Sequence, residues 1–367
     1  MKKKKRTIVL TAGGTGGHVF PAEALASELL KQDEFSLAFI TDRRVKNLPP
    51  KLSQLSIHFV AASAVTGKSA FNKIKAAFLL FWGTIQSIVL LTKLKPALVV
   101  GFGGYASIPA TLAAQFLHIP VVLHEQNAIL GRANRLLARK TKLIATSFTP
   151  TLQIPEGIET IQTGMPVRAS IIEHSSSVYT PHTTEFNLMI MGGSQGAHAF
   201  SELVPKALVL LSPEIKAKLN VIQQVRSEDI EHVNEEYRNS GIKSILIAPF
   251  FDNVPELLEK AHLVISRSGS SSLAEFTTIG CPALLIPLPT AADDHQTQNA
   301  RVWTSNGGGW LMVEKETTPE KLASRLMELI DNPDILKRAA LCAKQNTNCV
   351  AAKELAKAVL GLVSKKK

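Results

Sequence analysis

The chain has 367 residues, enough for two domains of about 180 residues each. At 45% hydrophobic and 19% charged residues it can bury real cores, which excludes a disordered chain. Three scattered cysteines, Cys281, Cys342 and Cys349, exclude a disulfide framework or a cysteine zinc site and fit a reducing compartment. The net charge of +11 is uneven. Residues 1–165 hold 20 basic and 8 acidic residues (+12), and residues 166–367 hold 21 and 22 (−1). Setting aside the five basic residues Lys2 to Arg6 still leaves +7 in the first half. A basic half suits an anionic membrane face, a pyrophosphate-bearing substrate or nucleic acid.

MKKKKR leads into the strand TIVLTA, an apolar run too short for a signal peptide and without a cleavage site. Strands are expected at Thr7–Leu10, Leu37–Ile40, Ile57–Val60, Leu98–Val100, Val121–Leu123 and Leu143–Ala145. Helices among them include Pro21–Leu30, Asn72–Leu91, Ile108–Leu117 and Arg132–Ala138, with Pro21 suited to a first helical turn. The most apolar stretch, Ala76 to Leu91, is 16 residues long and holds Thr84, Gln86 and Ser87, short of the roughly 20 that cross a bilayer. Phe71, Ile74, Phe78, Phe81 and Trp82, flanked by Lys68, Lys73, Lys75, Lys93 and Lys95, describe either an interfacial membrane contact or a well-buried helix; the basic charge of this half favours the membrane. Pro166, Ser175–Ser177 and Pro181 mark a linker over residues 165–185. A second series of strands follows at Asn187–Met191, Asn220–Gln224, Ser244–Ile247, Leu263–Ile265 and Ala283–Ile286. Helices Pro319–Ile330, Ile335–Lys344 and Ala351–Val363 close the chain. The alternation implies an α/β protein with parallel sheets: a domain at 1–164, another at 186–345, and a terminal helical segment at 346–367 packing back on the first.

Three glycine-rich turns lie between a strand and a helix: GGTGG at Gly13–Gly17, GFGGY at Gly101–Tyr105 and GGSQG at Gly192–Gly196. Such turns let backbone N–H groups at a helix start approach an anion. Gly13 and Gly192 stand 179 residues apart, as expected of two similar nucleotide-handling halves facing a cleft. His18 follows the first turn at a helix start, where the dipole favours neutral imidazole. It is either a general base for a hydroxyl nucleophile or an ordinary N-capping histidine. His124, Glu125, Gln126 and Asn127 follow a strand at the crevice end of a sheet, with Glu125 suited to a sugar hydroxyl or a base, unless the four are an ordinary strand-to-loop polar cluster. Arg267, Ser268, Gly269, Ser270, Ser271 and Ser272 sit at another strand-to-helix turn, a diphosphate cradle or a serine-rich cap, with Glu275 in reach of a ribose diol. The polar run Asp293 to Asn299 has neither a D-x-D pair nor metal-ligand spacing, so no metal is expected. Gly101-x-Gly103-x-x-Ala106 with Glu125 loosely matches a dinucleotide fingerprint and supports a rival reading as a nicotinamide-dependent oxidoreductase.

Taken together, GGTGGHVFPA, GFGGYASIPA, VVLHEQN, GMPVR, GGSQGA, SRSGSSSLAE and DHQTQNA, in order over residues 12–300, resemble the MurG family of UDP-N-acetylglucosamine transferases of peptidoglycan synthesis. The resemblance implies a GT-B fold of two Rossmann-like domains around a central cleft, acting without a cofactor. It implies an inverting transfer of GlcNAc from UDP-GlcNAc to the 4-hydroxyl of undecaprenyl-pyrophosphoryl-MurNAc-pentapeptide. Expected partners are those two substrates, the anionic cytoplasmic face of the plasma membrane, where the protein is peripheral, and cell-wall or division-machinery proteins, but no nucleic acid. By position, His18 is the candidate base, with Glu125 its rival. Thr15, Gly16, Gly17, Asn127 and Arg168 serve the donor, and Tyr105, Glu125, Asn127 and Asn134 the acceptor side. Ser194, Gln195 and the turn Ser268–Ser272 hold the diphosphate, Glu275 the ribose, Phe251 the uracil edge, and His295 and Gln296 the GlcNAc hydroxyls. Two places depart from the family: Met165 stands for asparagine in GMPVR, and Gln223–Ser227 lacks the family's glycine. Other readings left standing are another UDP-sugar glycolipid transferase and a non-catalytic sugar-nucleotide-binding subunit.

Overall fold

The computed structural model describes residues 5–13, 16–45, 48–63, 70–181, 184–193, 196–345 and 350–364, with the side chains of 70 and 71 excepted. The chain divides into two compact units: Met1–Arg168 with Asn348–Lys367, and Ala169–Thr347.

Unit 1 carries strands β1 (Arg6–Thr11), β2 (Phe35–Thr41), β3 (Ser56–Phe59), β4 (Leu98–Gly101), β5 (Val121–Glu125), β6 (Leu143–Thr146) and β7 (Thr160–Gln162). Its helices are α1 (Gly16–Leu29), α2 (Pro50–Ser53), α3 (Ala70–Leu94), α4 (Ser107–Phe116) and α5 (Arg132–Ala138). The strands form one parallel sheet in the order β3-β2-β1-β4-β5-β6-β7. Strand periodicity sorts the core. Ile8 and Leu10 point with Leu98, Val100 and Val122 to one face; Val9, Val99, Val121 and Leu123 point to the other. Both faces are covered, so these strands read as continuous apolar runs.

Unit 2 repeats the plan. It holds α6 (Ala169–Glu173), β8 (Phe186–Met191), α7 (His198–Val209), α8 (Pro213–Lys216), β9 (Leu219–Gln224), α9 (Ile230–Tyr237) and β10 (Ser244–Ala248). Then come α10 (Val254–Lys260), β11 (Leu263–Ser266), α11 (Ser270–Ile279), β12 (Ala283–Leu285), α12 (His295–Ser305), β13 (Gly309–Leu311), α13 (Pro319–Ile330) and α14 (Pro333–Gln345). The sheet is again parallel, β10-β9-β8-β11-β12-β13. The last helix, α15 (Ala351–Ser364), belongs to unit 1 and lies beside α1, burying Leu355, Val359 and Val363 with Ile8, Leu10 and Leu25. Leu355→Ala should therefore cost about 2–5 kcal/mol, read as a lowered melting temperature by calorimetry.

Three details differ from the sequence expectations. The helix expected from Pro21 begins at Gly16, so Pro21 lies inside α1, where its missing N–H removes the bond Gly17's carbonyl would accept. The stretch 165–185 contains α6, and the boundary between units falls after Arg168. β7 and β13 were not anticipated: each is three residues long at a sheet edge, too short to show a period.

Candidate active site

In each sheet the chain order reverses once, between β1 and β4 in unit 1 and between β8 and β11 in unit 2. Loops leaving the two strands at such a switch point diverge and open a crevice at their carboxyl ends. The first two glycine turns follow β1 and β4, and the HEQN segment follows β5, β4's other neighbour. In unit 2 the GGSQG turn follows β8 and the serine turn follows β11. Topology thus puts these glycine, HEQN and serine segments at the carboxyl ends of strands at or next to each switch point.

In unit 1 the two glycine turns touch. A Cβ on Gly13 would lie 2.2 Å from the Ala106 Cβ, and one on Gly104 2.9 Å from the Gly13 carbonyl oxygen. Gly104 also has φ +75°, which disfavours any side chain. Ala106 of the loose dinucleotide fingerprint serves this contact, a Cβ on Gly101 would meet Leu123 and Thr111, and the His18 ring atoms come within 3.4 Å of Cβ positions on Gly103 and Gly104. His18 is the third residue of α1, and its Nδ1 lies 3.2 Å from the Oε1 of Gln126. The Gln126 amide donates to the Phe102 carbonyl (2.7 Å) and faces Nδ1 of His124 at 3.3 Å. His124 is fully buried, and its Nε2 lies 3.3 Å from the Gly164 carbonyl. Burial, with a smaller contribution from His18 and against the bond to Gly164, lowers its pKa to about 4.

That shift has a pH consequence. Unfolded His124 takes up a proton near pH 6.5, which the native ring resists down to about 4. Its contribution is complete above the unfolded value and is lost as pH falls through the native one, about 3 kcal/mol in all. Denaturant titrations at several pH values should show a steeper acid loss for the native chain than for His124→Phe.

Glu125 is buried, and both carboxylate oxygens are occupied. Oε1 accepts from the backbone N–H (3.0 Å) and side-chain amide (3.2 Å) of Asn127. Oε2 accepts from Gly131 N–H (2.9 Å) and the Asn134 amide (2.8 Å). The carboxylate thus ties the loop after β5 to the start of α5. Asn134 also donates to the His124 carbonyl (3.2 Å), while its buried Oδ1 has no hydrogen-bond partner among the described residues. Tyr105 is half-buried in the turn before α4. Arg168, the last residue of unit 1, lays its guanidinium 5.3 Å from the centre of the Phe20 ring on α1. Met165 is buried and accepts a 3.7 Å contact from the Ser147 hydroxyl, so a thioether fills the place of the family's asparagine. Gly16 and Gly17 open α1; Thr15 lies outside the described residues.

In unit 2, Ser194 and Gln195 lie outside the described residues, between Gly193 and α7. The serine turn is partly structural. Ser268 is fully buried and donates to the Gln296 carbonyl (2.8 Å), while its own carbonyl accepts from Asn299 (3.1 Å). Gly269 caps α11, whose first three residues are Ser270, Ser271 and Ser272; the buried Ser271 hydroxyl oxygen has no hydrogen-bond partner among the described residues. Glu275 stands half-buried in the second turn of α11. Arg267 is occupied by the Ile286 and Pro287 carbonyls (2.9 and 3.1 Å), by Glu314 and by the Phe200 ring. His295 opens α12 with its Nδ1 2.8 Å from the Ala292 carbonyl, and Gln296 Oε1 accepts from Leu288 N–H (2.9 Å). Phe251 is half-buried in the loop after β10. In the altered 223–227 segment, Arg226 reaches the glycine turn and donates to the Gly196 carbonyl at 3.4 Å. Sequence reasoning assigned no role to Gln126 or Arg226; the signal for Gln126 was its place inside HEQN. Among the described residues no group of three His, Cys, Asp or Glu side chains is placed to hold a metal ion.

Residues 8–146 match the glycosyltransferase family 28 N-terminal domain, and residues 187–356 match the family's C-terminal domain. The crystal structure of Acinetobacter baumannii MurG superposes with a TM-score of 0.77 at 28% identity, covering 97% of this chain and 99% of that one. Two doubly wound units with these domains define a glycosyltransferase of the GT-B fold. At the level of sequence, the UDP-N-acetylglucosamine–N-acetylmuramyl-(pentapeptide) pyrophosphoryl-undecaprenol N-acetylglucosamine transferase of Rhodospirillum rubrum is 49% identical over 92% of this chain and 87% of that protein. The transferase of the same name from Paramagnetospirillum magneticum is 44% identical over 99% of this chain and 98% of its own. The chain belongs to the MurG family.

Proposed function

We infer that this chain transfers GlcNAc from UDP-GlcNAc to undecaprenyl-pyrophosphoryl-MurNAc-pentapeptide, converting lipid I to lipid II. The observation that carries the reading is the 49% identity, over 92% of the chain, to the Rhodospirillum rubrum transferase named for this reaction. The same identity sets the oxidoreductase alternative aside.

The reaction is a single inverting displacement. The MurNAc 4-oxygen forms a bond to the anomeric carbon as the bond from that carbon to the UDP phosphate oxygen breaks. The hydroxyl proton passes to His18, and UDP leaves. Unit 1 holds the acceptor through Tyr105, Asn127 and Asn134. Unit 2 holds the donor through the GGSQG turn, Ser270–Ser272 and Glu275, with Gln296 and His295 toward the sugar and Phe251 toward uracil. N–H groups and hydroxyls at the starts of α7 and α11 offset the charge on the departing diphosphate.

The acceptor is a lipid, and unit 1 carries a surface suited to its membrane. α3 is 25 residues long, and over Asn72–Leu94 it is long and apolar enough to span a bilayer by those criteria alone. Its inner face is committed, however. Ala76, Gly83, Ser87 and Leu91 are buried, and a Cβ on Gly83 would lie 1.8 Å from the Ala61 carbonyl oxygen. The outer face exposes Ile74, Phe78, Phe81 and Trp82 to between 48 and 69%. Lys73 and Lys75 precede it and Lys93 and Lys95 follow, the makings of an interfacial contact with anionic lipid. Phe71's side chain lies outside the described residues. The double variant Phe78→Ser/Phe81→Ser should lose most binding to vesicles containing anionic lipid in a flotation assay, with UDP-GlcNAc affinity unchanged.

The activity is tested by UDP release from radiolabelled UDP-GlcNAc with a short-chain lipid I analogue, with and without EDTA. Transfer that persists in EDTA is the expected result. UDP-GlcNAc binding without transfer to this acceptor, but with transfer to another glycolipid, would overturn the acceptor assignment.

A further inference from the structure

We propose that Gln126 is a positioning residue that fixes the tautomer of His18, holding the ring protonated on Nδ1 so that the basic lone pair sits on Nε2. The proposal rests on His18 acting as the base, and its geometry comes from residues outside that assignment.

The Gln126 amide is oriented by its neighbours. Its nitrogen lies 2.7 Å from the Phe102 carbonyl oxygen, a distance only a donor tolerates, so the amide has one orientation. The second amide hydrogen is directed at Nδ1 of His124, 3.3 Å away, so that nitrogen must accept. A neutral His124 accepting at Nδ1 carries its proton on Nε2, where it faces the Gly164 carbonyl at 3.3 Å. Every polar atom in this buried set then has a consistent role. Were His124 protonated, two donors would oppose each other at its Nδ1. Its burial, which keeps the ring neutral through the range in which transferases work, removes that conflict.

With its nitrogen committed, Gln126 presents Oε1, an acceptor only, to Nδ1 of His18 at 3.2 Å. A lone pair on that Nδ1 would oppose the lone pairs of Oε1, so the ring proton belongs there. The opposite tautomer would aim the base into the protein, at Gln126. In water neutral imidazole favours the other tautomer, with its proton on Nε2, so a fixed acceptor at Nδ1 is needed to reverse the preference. The ring lies against the glycine turn, where a Cβ on Gly103 or Gly104 would come within 3.4 Å of its atoms, so side chains there would crowd it. The relay thus joins four segments of unit 1: the start of α1, the turn after β4, the end of β5 and the Gly164 segment after β7.

The test joins spectroscopy to kinetics on the full-length protein. Long-range proton–nitrogen correlation spectra of nitrogen-15 histidine-labelled protein report the His18 tautomer directly, with the resonance assigned by its loss in His18→Gln. The expected wild-type signature at a pH above the ring's titration is a protonated Nδ1 and an unprotonated Nε2. Gln126→Leu should move the ring toward the Nε2-protonated form. It should lower kcat about 10–100-fold, part of what a positioned base contributes, while leaving KM for UDP-GlcNAc within about twofold. His124→Phe, which leaves the Phe102 anchor in place, should cost less than Gln126→Leu. A merely structural role for Gln126 would lower the melting temperature without moving the tautomer. A wild-type His18 protonated on Nε2, or a tautomer that Gln126→Leu leaves unmoved, overturns the proposal. Because the wild-type spectrum needs no variant to fold, a poorly folded Gln126→Leu does not rescue it. Absence of transfer by the wild type would instead overturn the assigned activity, with the tautomer still readable.

Discussion

His18→Ala should lower kcat by about 10²–10⁴-fold while leaving the affinity for UDP-GlcNAc within about twofold of wild type. The size follows from what the residue contributes. A sugar hydroxyl is a weak nucleophile until its proton is withdrawn, and a positioned base supplies that withdrawal in the transition state alone. The proposed donor groups lie on unit 2, so binding of UDP-GlcNAc, followed calorimetrically, should persist. Residual turnover is expected because the dipoles and hydroxyls offsetting the diphosphate charge remain. A second readout separates base from bystander: wild-type kcat/KM should fall on the acid side with a single ionisation that is missing in His18→Ala. Loss of donor binding in step with kcat would instead assign His18 to the nucleotide, contrary to its place against the HEQN segment.

Much of the fold was legible because parallel strands covered on both faces announce themselves as unbroken apolar runs. Ile8–Leu10, Leu98–Val100 and Leu263–Ile265 are such runs, and each is a central strand. Two short edge strands offer no such signal: Thr160–Gln162 is exposed throughout, and Gly309–Leu311 follows glycines that mask it. Site residues were legible as types at crevice ends of strands, but their roles depend on contacts that no local pattern encodes. Glu125 and His18 both looked like bases in sequence. Only the placement of Gly131 and Asn134, six and nine residues further on, shows that Glu125 is surrounded by donors. Ser268 likewise read as a diphosphate ligand, yet its hydroxyl is committed to a carbonyl 28 residues away. The α3 helix was ambiguous for the same reason. Its composition fits a core helix and a surface one equally, and the difference lies in which flank Gly83 and Ser87 press inward.

Glu125 gives the second large effect, and on stability first. Glu125→Ala removes the acceptor of four N–H groups, two from Asn127 and one each from Gly131 and Asn134. An orphaned buried donor costs roughly 1–3 kcal/mol. With water entering the vacated space to satisfy some of them, a net loss of about 3–5 kcal/mol is expected, measurable by denaturant unfolding. Glu125→Gln should recover little of it. Its amide oxygen serves one pair of donors, but its amide nitrogen then opposes the other pair, donor against donor. Activity should fall in both variants, because the segment that Glu125 ties down carries Gln126 and Asn127 and borders the His18 ring. The pattern discriminates between the two roles. A general base replaced by its isosteric amide would leave the melting temperature at the wild-type value and remove turnover alone. A tether replaced by the same amide loses stability and turnover together, and the acid limb of the surviving activity still reports His18.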